Sequence, residues 1–178
     1  QNLHAELLLR RLGLITGTGS VEDGRAAVTG MLTDAGVPRR GWDISDGSGM
    51  STYNRLAPRA VVTLLHWAAD QPWGVAWRAT FPVAGVDGTL ASRFKDGGLR
   101  GKLFAKTGTI NATNALSGYM TAKSGRTLTF SMFAYDVPSG ATARATMDKA
   151  LELIAAKATK GGKAPRVATS SKVTLACG

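Results

Sequence analysis

Lys106-Thr107-Gly108-Thr109 puts an ammonium, two hydroxyls and a residue without a side chain in four consecutive positions. At a strand end, such a group can bind an extended peptide through main-chain hydrogen bonds while the cation takes the peptide's carboxylate. Gly108 removes the side chain that would hold a ligand's backbone away. A second candidate is Ser92-Arg93-Phe94-Lys95. On one helical turn its lysine amine would lie close enough to the serine hydroxyl to activate it. The remaining candidates offer less. His4 and His66 are the only histidines and have no partner cluster, so both read as structural residues, and no metal or cofactor is expected. Asp46 and Asp87 each precede a glycine, a setting in which the carboxylate bonds its own turn instead of working as a general acid. Trp67, Trp73 and Trp77 flank a helix end and read as packing residues. Cys177 is the single cysteine and cannot close a disulfide within these residues.

The elements that would position these groups follow from hydrophobic period and punctuation. Leu3, Leu7 and Leu8 at helical spacing predict a first helix over Leu3–Leu12. A second runs from Val21 to Ala35, capped by Ser20, with Asp23 in its first turn and Gly36 as its stop. Asp43 to Gly49 is rich in Asp, Ser and Gly and reads as an ordered loop. Pro58 opens a third helix reaching about Asp70. Residues 71–101 read as irregular, with a short helix over Thr89–Lys95. The period then changes. Leu103–Lys106, Leu116–Lys123 and Thr127–Tyr135 read as strands, with Ser124-Gly125 as a turn and Asn111 and Asn114 in the loop after the first strand. A final Ala-rich helix over Ala141–Ala158 places Met147, Ala150, Leu151 and Ile154 on one face. The fold class is therefore α+β: helices, then a three-strand antiparallel meander, then a helix packed on the sheet.

Composition narrows the function classes. The 178 residues are 44% hydrophobic and 19% charged, too apolar for a disordered chain. No apolar run approaches the roughly 18–20 residues of a membrane span. The net charge of +10 invites a nucleic-acid reading, but half of the surplus lies beyond Glu152, in Lys157, Lys160, Lys163, Arg166 and Lys172. That segment is Gly- and Pro-containing, lacks aromatics to stack on bases, and carries no nucleic-acid motif. Residues 159–178 read as a flexible basic tail on a domain formed by residues 1–158.

Several segments match one family in order. Ser45-Asp46-Gly47-Ser48-Gly49-Met50-Ser51 with Asn54-Arg55 and Pro58 comes first, followed by Pro82-Val83-Ala84-Gly85 with Asp87-Gly88-Thr89-Leu90. Ala105-Lys106-Thr107-Gly108-Thr109 and Leu116-Ser117-Gly118-Tyr119 complete the series. Over residues 2–158 the chain resembles the D-alanyl-D-alanine carboxypeptidase/endopeptidase family, the low-molecular-mass class C penicillin-binding proteins. The resemblance implies the C-terminal half of a serine penicillin-recognising, transpeptidase-like fold. That family's site uses Ser-x-x-Lys, Ser-x-Asn and Lys-Thr-Gly. The third is complete at Lys106-Thr107-Gly108, and the second falls on Asn2, with its serine expected immediately before Gln1. No other asparagine completes it, because Thr52, Thr109 and Ala112 stand two residues before Asn54, Asn111 and Asn114. Ser92 matches the first element literally but follows the second in order. The nucleophile is accordingly expected outside this chain, on a missing N-terminal segment.

By this resemblance, Lys106 and Asn2 are catalytic residues, and Lys106, Thr107, Gly108, Thr109 and Ile110 bind substrate. The Thr109 N–H serves as an oxyanion-hole donor, and Ile110 lines the pocket for the residue before D-Ala. The implied partners are peptidoglycan stem peptides and β-lactams, and the implied location is the cell envelope, periplasmic or secreted. Two readings of other classes compete: a non-catalytic cell-wall-binding homologue, and a basic nucleic-acid-binding domain. An upstream Ser-x-x-Lys favours the enzyme, whereas strongly salt-dependent affinity for DNA or RNA favours the last.

Overall fold

A computed structural model describes residues 1–110, 112–138 and 142–159. The expected basic tail, from Lys160 on, and Cys177 lie outside the described residues, as does Asn111. The helices are α1 (Asn2–Gly13), α2 (Val21–Asp34), α3 (Pro58–Ala69), α4 (Gly74–Ala79) and α5 (Ala143–Lys157), and the strands form two sheets. Strands β1 (Trp42–Asp43) and β2 (Arg55–Leu56) form a small antiparallel pair. Strands β3 (Leu103–Ile110), β4 (Thr113–Thr121) and β5 (Thr127–Ala134) form the antiparallel meander, in the order β3-β4-β5.

Local chemistry sets the helix ends. Ser20 Oγ accepts from the Asp23 N–H at 3.0 Å, and Asp23 accepts from the Ser20 N–H at 3.3 Å, a reciprocal cap. Hydrogen bonds from Thr18, first its hydroxyl and then its N–H, hold the Asp23 carboxyl down to about 2. Gly36, at φ +69°, ends α2, and the Val37 N–H returns to the Leu32 carbonyl. In α1 the expected leucine stripe faces outward: Leu3, Leu7 and Leu8 are exposed, and Leu9 and Gly13 are the buried positions. Glycine governs this crossing, because a Cβ on Gly24 of α2 would lie 2.2 Å from the Leu9 carbonyl oxygen.

The meander carries a helical layer on each face. Leu103, Ala105, Leu116, Met120 and Phe130 meet Met147, Leu151 and Ala155 of α5, with Leu90 and Leu99 fully buried between. The buried stripe of α5 is thus Met147, Leu151 and Ala155, at helical i, i+4 spacing. Ile154, expected among them, is exposed. The other face meets α3 and α4. Tyr119 Oη donates to the Leu65 carbonyl at 2.5 Å and accepts from Trp77 Nε1 at 3.2 Å. An edge-to-face ladder runs Trp67, Trp73, Trp77, Phe81, Tyr119, so the tryptophans are packing residues, as read from sequence.

Strand β3 runs through Lys106-Thr107-Gly108-Thr109 instead of ending at Lys106, because Thr107, Thr109, Ile110 and Thr113 are β-branched and pair across the hairpin. Asn114 therefore lies in β4, opposite Thr109. Residues 71–101 include α4, and the helix expected over Thr89–Lys95 is only a 3-10 turn at Gly88–Leu90.

Candidate active site

Strand β3 is an edge strand of its sheet, and among the described residues its outer edge is covered only in part. The Ala105 N–H donates to the Pro82 carbonyl at 3.1 Å, and the Leu103 carbonyl accepts from the Ala84 N–H at 2.9 Å. Asp87 holds that covering segment by accepting from the Val83 N–H at 2.6 Å. In an antiparallel ladder the same alternate residues turn both peptide groups outward. Thr107 and Thr109, continuing the series from Leu103 and Ala105, therefore present their N–H groups to the edge beyond the cover. Lys106 Nζ donates to the Thr107 carbonyl at 2.6 Å, while Thr107 Oγ1 donates to Thr89 Oγ1 at 2.9 Å. Gly108 leaves the rim between them low.

This edge forms one wall of a cleft of about 1350 Å³, lined also by Asn2, Ser48, Asn54, Arg55, Ser92, Arg144 and Ile110. Asn2 reaches it because α1 is pinned to the loop after β1. Glu6 accepts from the Gly47 N–H at 3.1 Å and the Ser48 N–H at 2.9 Å. Hydrogen bonds from the Ser48 side chain and the Gly47 N–H hold the Glu6 carboxyl below its ordinary range. A Cβ on Gly47 would sit 2.4 Å from the Ala5 carbonyl oxygen, so only glycine lets the loop approach α1 so closely. The loop is ordered around Asp46, which accepts from the Gly49 N–H (2.8 Å), the Ser51 N–H (2.6 Å) and Asn54 Nδ2 (2.8 Å). Burial raises the Asp46 carboxyl, but the hydrogen bonds, led by that from Asn54, outweigh it and leave it below the ordinary range.

The structure thus brings Asn2, Lys106, Thr107, Gly108, Thr109 and Ile110 to one cleft. It also places Ser92 there, but without an activating lysine on the same helical turn. Phe94, at φ +58°, takes a left-handed conformation, and no helix carries Ser92 and Lys95. Arg93 between them makes a bidentate pair with Asp148 of α5, Nε to Oδ2 at 3.1 Å and Nη2 to Oδ1 at 2.5 Å. His4 and His66 are exposed, and no cluster of metal-ligating side chains occurs among the described residues. Sequence reasoning missed Thr89 and Arg144, whose partners are distant in the chain.

Among solved structures, penicillin-binding protein 4 (DacB) from Haemophilus influenzae superimposes with a TM-score of 0.75 over 84% of this chain and 36% of that one, at 29% identity. That structure is a complex with a β-lactam. Residues 1–158 match the D-Ala-D-Ala carboxypeptidase 3 (S13) family, and the chain belongs to that family. A D-alanyl-D-alanine carboxypeptidase of Actinomadura sp. is 40% identical over 137 residues, 74% of this chain and 25% of that protein. Carboxypeptidase DacB of Mycolicibacterium smegmatis is 35% identical over 150 residues, 80% of this chain and 33% of that protein. The chain therefore spans about a quarter to a third of the curated relatives it matches.

Proposed function

We propose that this chain is the substrate-positioning part of a serine-type D-Ala-D-Ala carboxypeptidase/endopeptidase that acts on peptidoglycan stem peptides through an acyl-enzyme. The observation that carries the reading is the convergence of Asn2, Lys106, Thr107 and Thr109 on one cleft beside an open strand edge. A stem peptide lies along β3 as an added strand. Lys106 attracts its terminal carboxylate and sets the proton relay, and the hydroxyls of Thr107 and Thr109 complete the grip. Asn2 hydrogen-bonds the substrate amide. A serine contributed by sequence outside these 178 residues attacks the penultimate D-Ala carbonyl, D-Ala leaves, and water hydrolyses the ester. The outward Thr109 N–H stabilises the developing oxyanion, and a donor of this kind contributes about 3–4 kcal/mol in the transition state. β-Lactams acylate the same serine because they mimic the D-Ala-D-Ala amide. Residues 1–158 form the C-terminal portion of the catalytic domain, residues 159–178 a basic tail, and the protein works in the cell envelope.

The test is labelling of the full-length protein with a fluorescent penicillin, alongside Lys106→Ala. Covalent label on a serine upstream of Gln1, lost or slowed at least about tenfold in the variant, is expected for a charge-assisted contact. Absence of label with retained binding to peptidoglycan would favour the non-catalytic homologue.

A further inference from the structure

Arg144 is the second residue of α5, at the end where unpaired N–H groups carry partial positive charge and a cation is disfavoured. The first turn of α5 holds no acidic residue to offset it. Asp148, one turn along, would be its natural helical partner, but both of that carboxylate's oxygens are taken by Arg93. Arg144 instead leaves its helix for neutral acceptors on two strands. Its Nη2 donates to Thr109 Oγ1 at 3.2 Å and its Nε to Asn114 Oδ1 at 3.3 Å. Thr109 and Asn114 are register partners across β3 and β4, and all three residues line the cleft. Helix stability does not explain this placement.

Two consequences follow from the chemistry. The guanidinium occupies an acceptor lone pair of the Thr109 hydroxyl, which leaves that hydroxyl's own proton to donate. Its present acceptor, Asn114 Oδ1, stands at 3.5 Å, a long contact that a ligand oxygen would readily replace. An anion bound there would also meet the charge of Arg144, which no ion pair among the described residues neutralises. We infer that Arg144 is a positioning and specificity residue: it aims the Thr109 hydroxyl at the substrate's terminal carboxylate and, with Lys106, makes the cleft select an anionic ligand. This rests on the peptidase reading above.

The experiment compares acylation of the full-length protein by benzylpenicillin, which has a free carboxylate, and by its methyl ester, which has none. Second-order rate constants are measured for the unchanged protein and for Arg144→Ala, Arg144→Gln and Arg144→Lys. Arg144→Ala is expected to slow the acid by about tenfold or more and the ester by less than about twofold, the signature of a lost contact to a charged group. Arg144→Lys should recover part of the acid rate, and Arg144→Gln should not. Equal losses for acid and ester would assign Arg144 to holding α5 on the sheet and overturn the inference, as would no loss for either. Circular dichroism identifies any variant that has not folded, in which case the comparison of lysine with glutamine decides. If the unchanged protein reacts with neither compound, the peptidase reading fails and this inference fails with it.

Discussion

Glu6 shows how much of the cleft depends on single carboxylates far from the reacting edge. Its oxygens accept two backbone N–H groups of the loop and so fix the helix that bears Asn2. Because those bonds favour the ionised form, the folded-state pKa lies below the ordinary value of 4.5. A depressed carboxyl stabilises the folded state above its unfolded pKa, and the contribution disappears as pH falls through the folded value. As pH falls below about 4.5 the protection of the Gly47 and Ser48 amides, measured against the intrinsic exchange rate at each pH, is therefore expected to fall, and Glu6→Gln should show lower protection at neutral pH with a flatter pH dependence. Protection at these amides unaltered by pH and by the variant would separate Glu6 from the loop. At this scale the sequence was legible where chemistry is local. Lys106-Thr107-Gly108 and the turn aspartates Asp46 and Asp87 could be read from neighbours. Arg144 could not, because its partners lie 30 and 35 residues away and no pattern links them.

Strand pairing is what turns the local motif into an edge. Gly118 of β4 sits opposite Ala105, and a Cβ there would fall 2.0 Å from the Phe104 carbonyl oxygen. Backbone cannot yield as a flexible side chain can, so Gly118→Ala is expected to cost at least about 2 kcal/mol. Urea denaturation would read this as a lower midpoint, and an unchanged midpoint would mean that the two strands separate freely at this point. Tyr119→Phe removes the bond to the Leu65 carbonyl that ties the sheet to α3. Leaving that buried acceptor and Trp77 Nε1 without their partner is expected to cost about 1–3 kcal/mol in the same measurement. Element types were readable wherever the hydrophobic period was clear, as in α2, α3, β4, β5 and α5. The motif strand was read as ending at Lys106, while cross-strand pairing extends the ladder through Thr107, Gly108 and Thr109. Ser92–Lys95 failed as a helix for a tertiary reason: Phe94 is buried in the α5 core, and Arg93 is held by Asp148.

At the scale of the molecule, the cleft holds a gripping edge but, in the proposed mechanism, needs a nucleophile from elsewhere. Ser92 is the one serine in the cleft with a nominal lysine partner in sequence, and the left-handed backbone at Phe94 denies it the helical turn on which that lysine would act. Preorganised donors without a nucleophile keep only a residue of the catalysis that the whole constellation achieves, since the members of such a site act as a unit. A polypeptide of residues 1–178 is therefore expected to release no D-Ala above background from a D-Ala-D-Ala peptide, while the full-length protein releases it. Ser92→Ala in the full-length protein should change kcat by less than about threefold, the scale of a neighbouring hydroxyl and not of an attacking one. Mapping the penicillin-modified peptide closes the argument. Label on the peptide containing Ser92, or activity of residues 1–178 equal to that of the full-length protein, would return the nucleophile to this chain and overturn its assignment upstream.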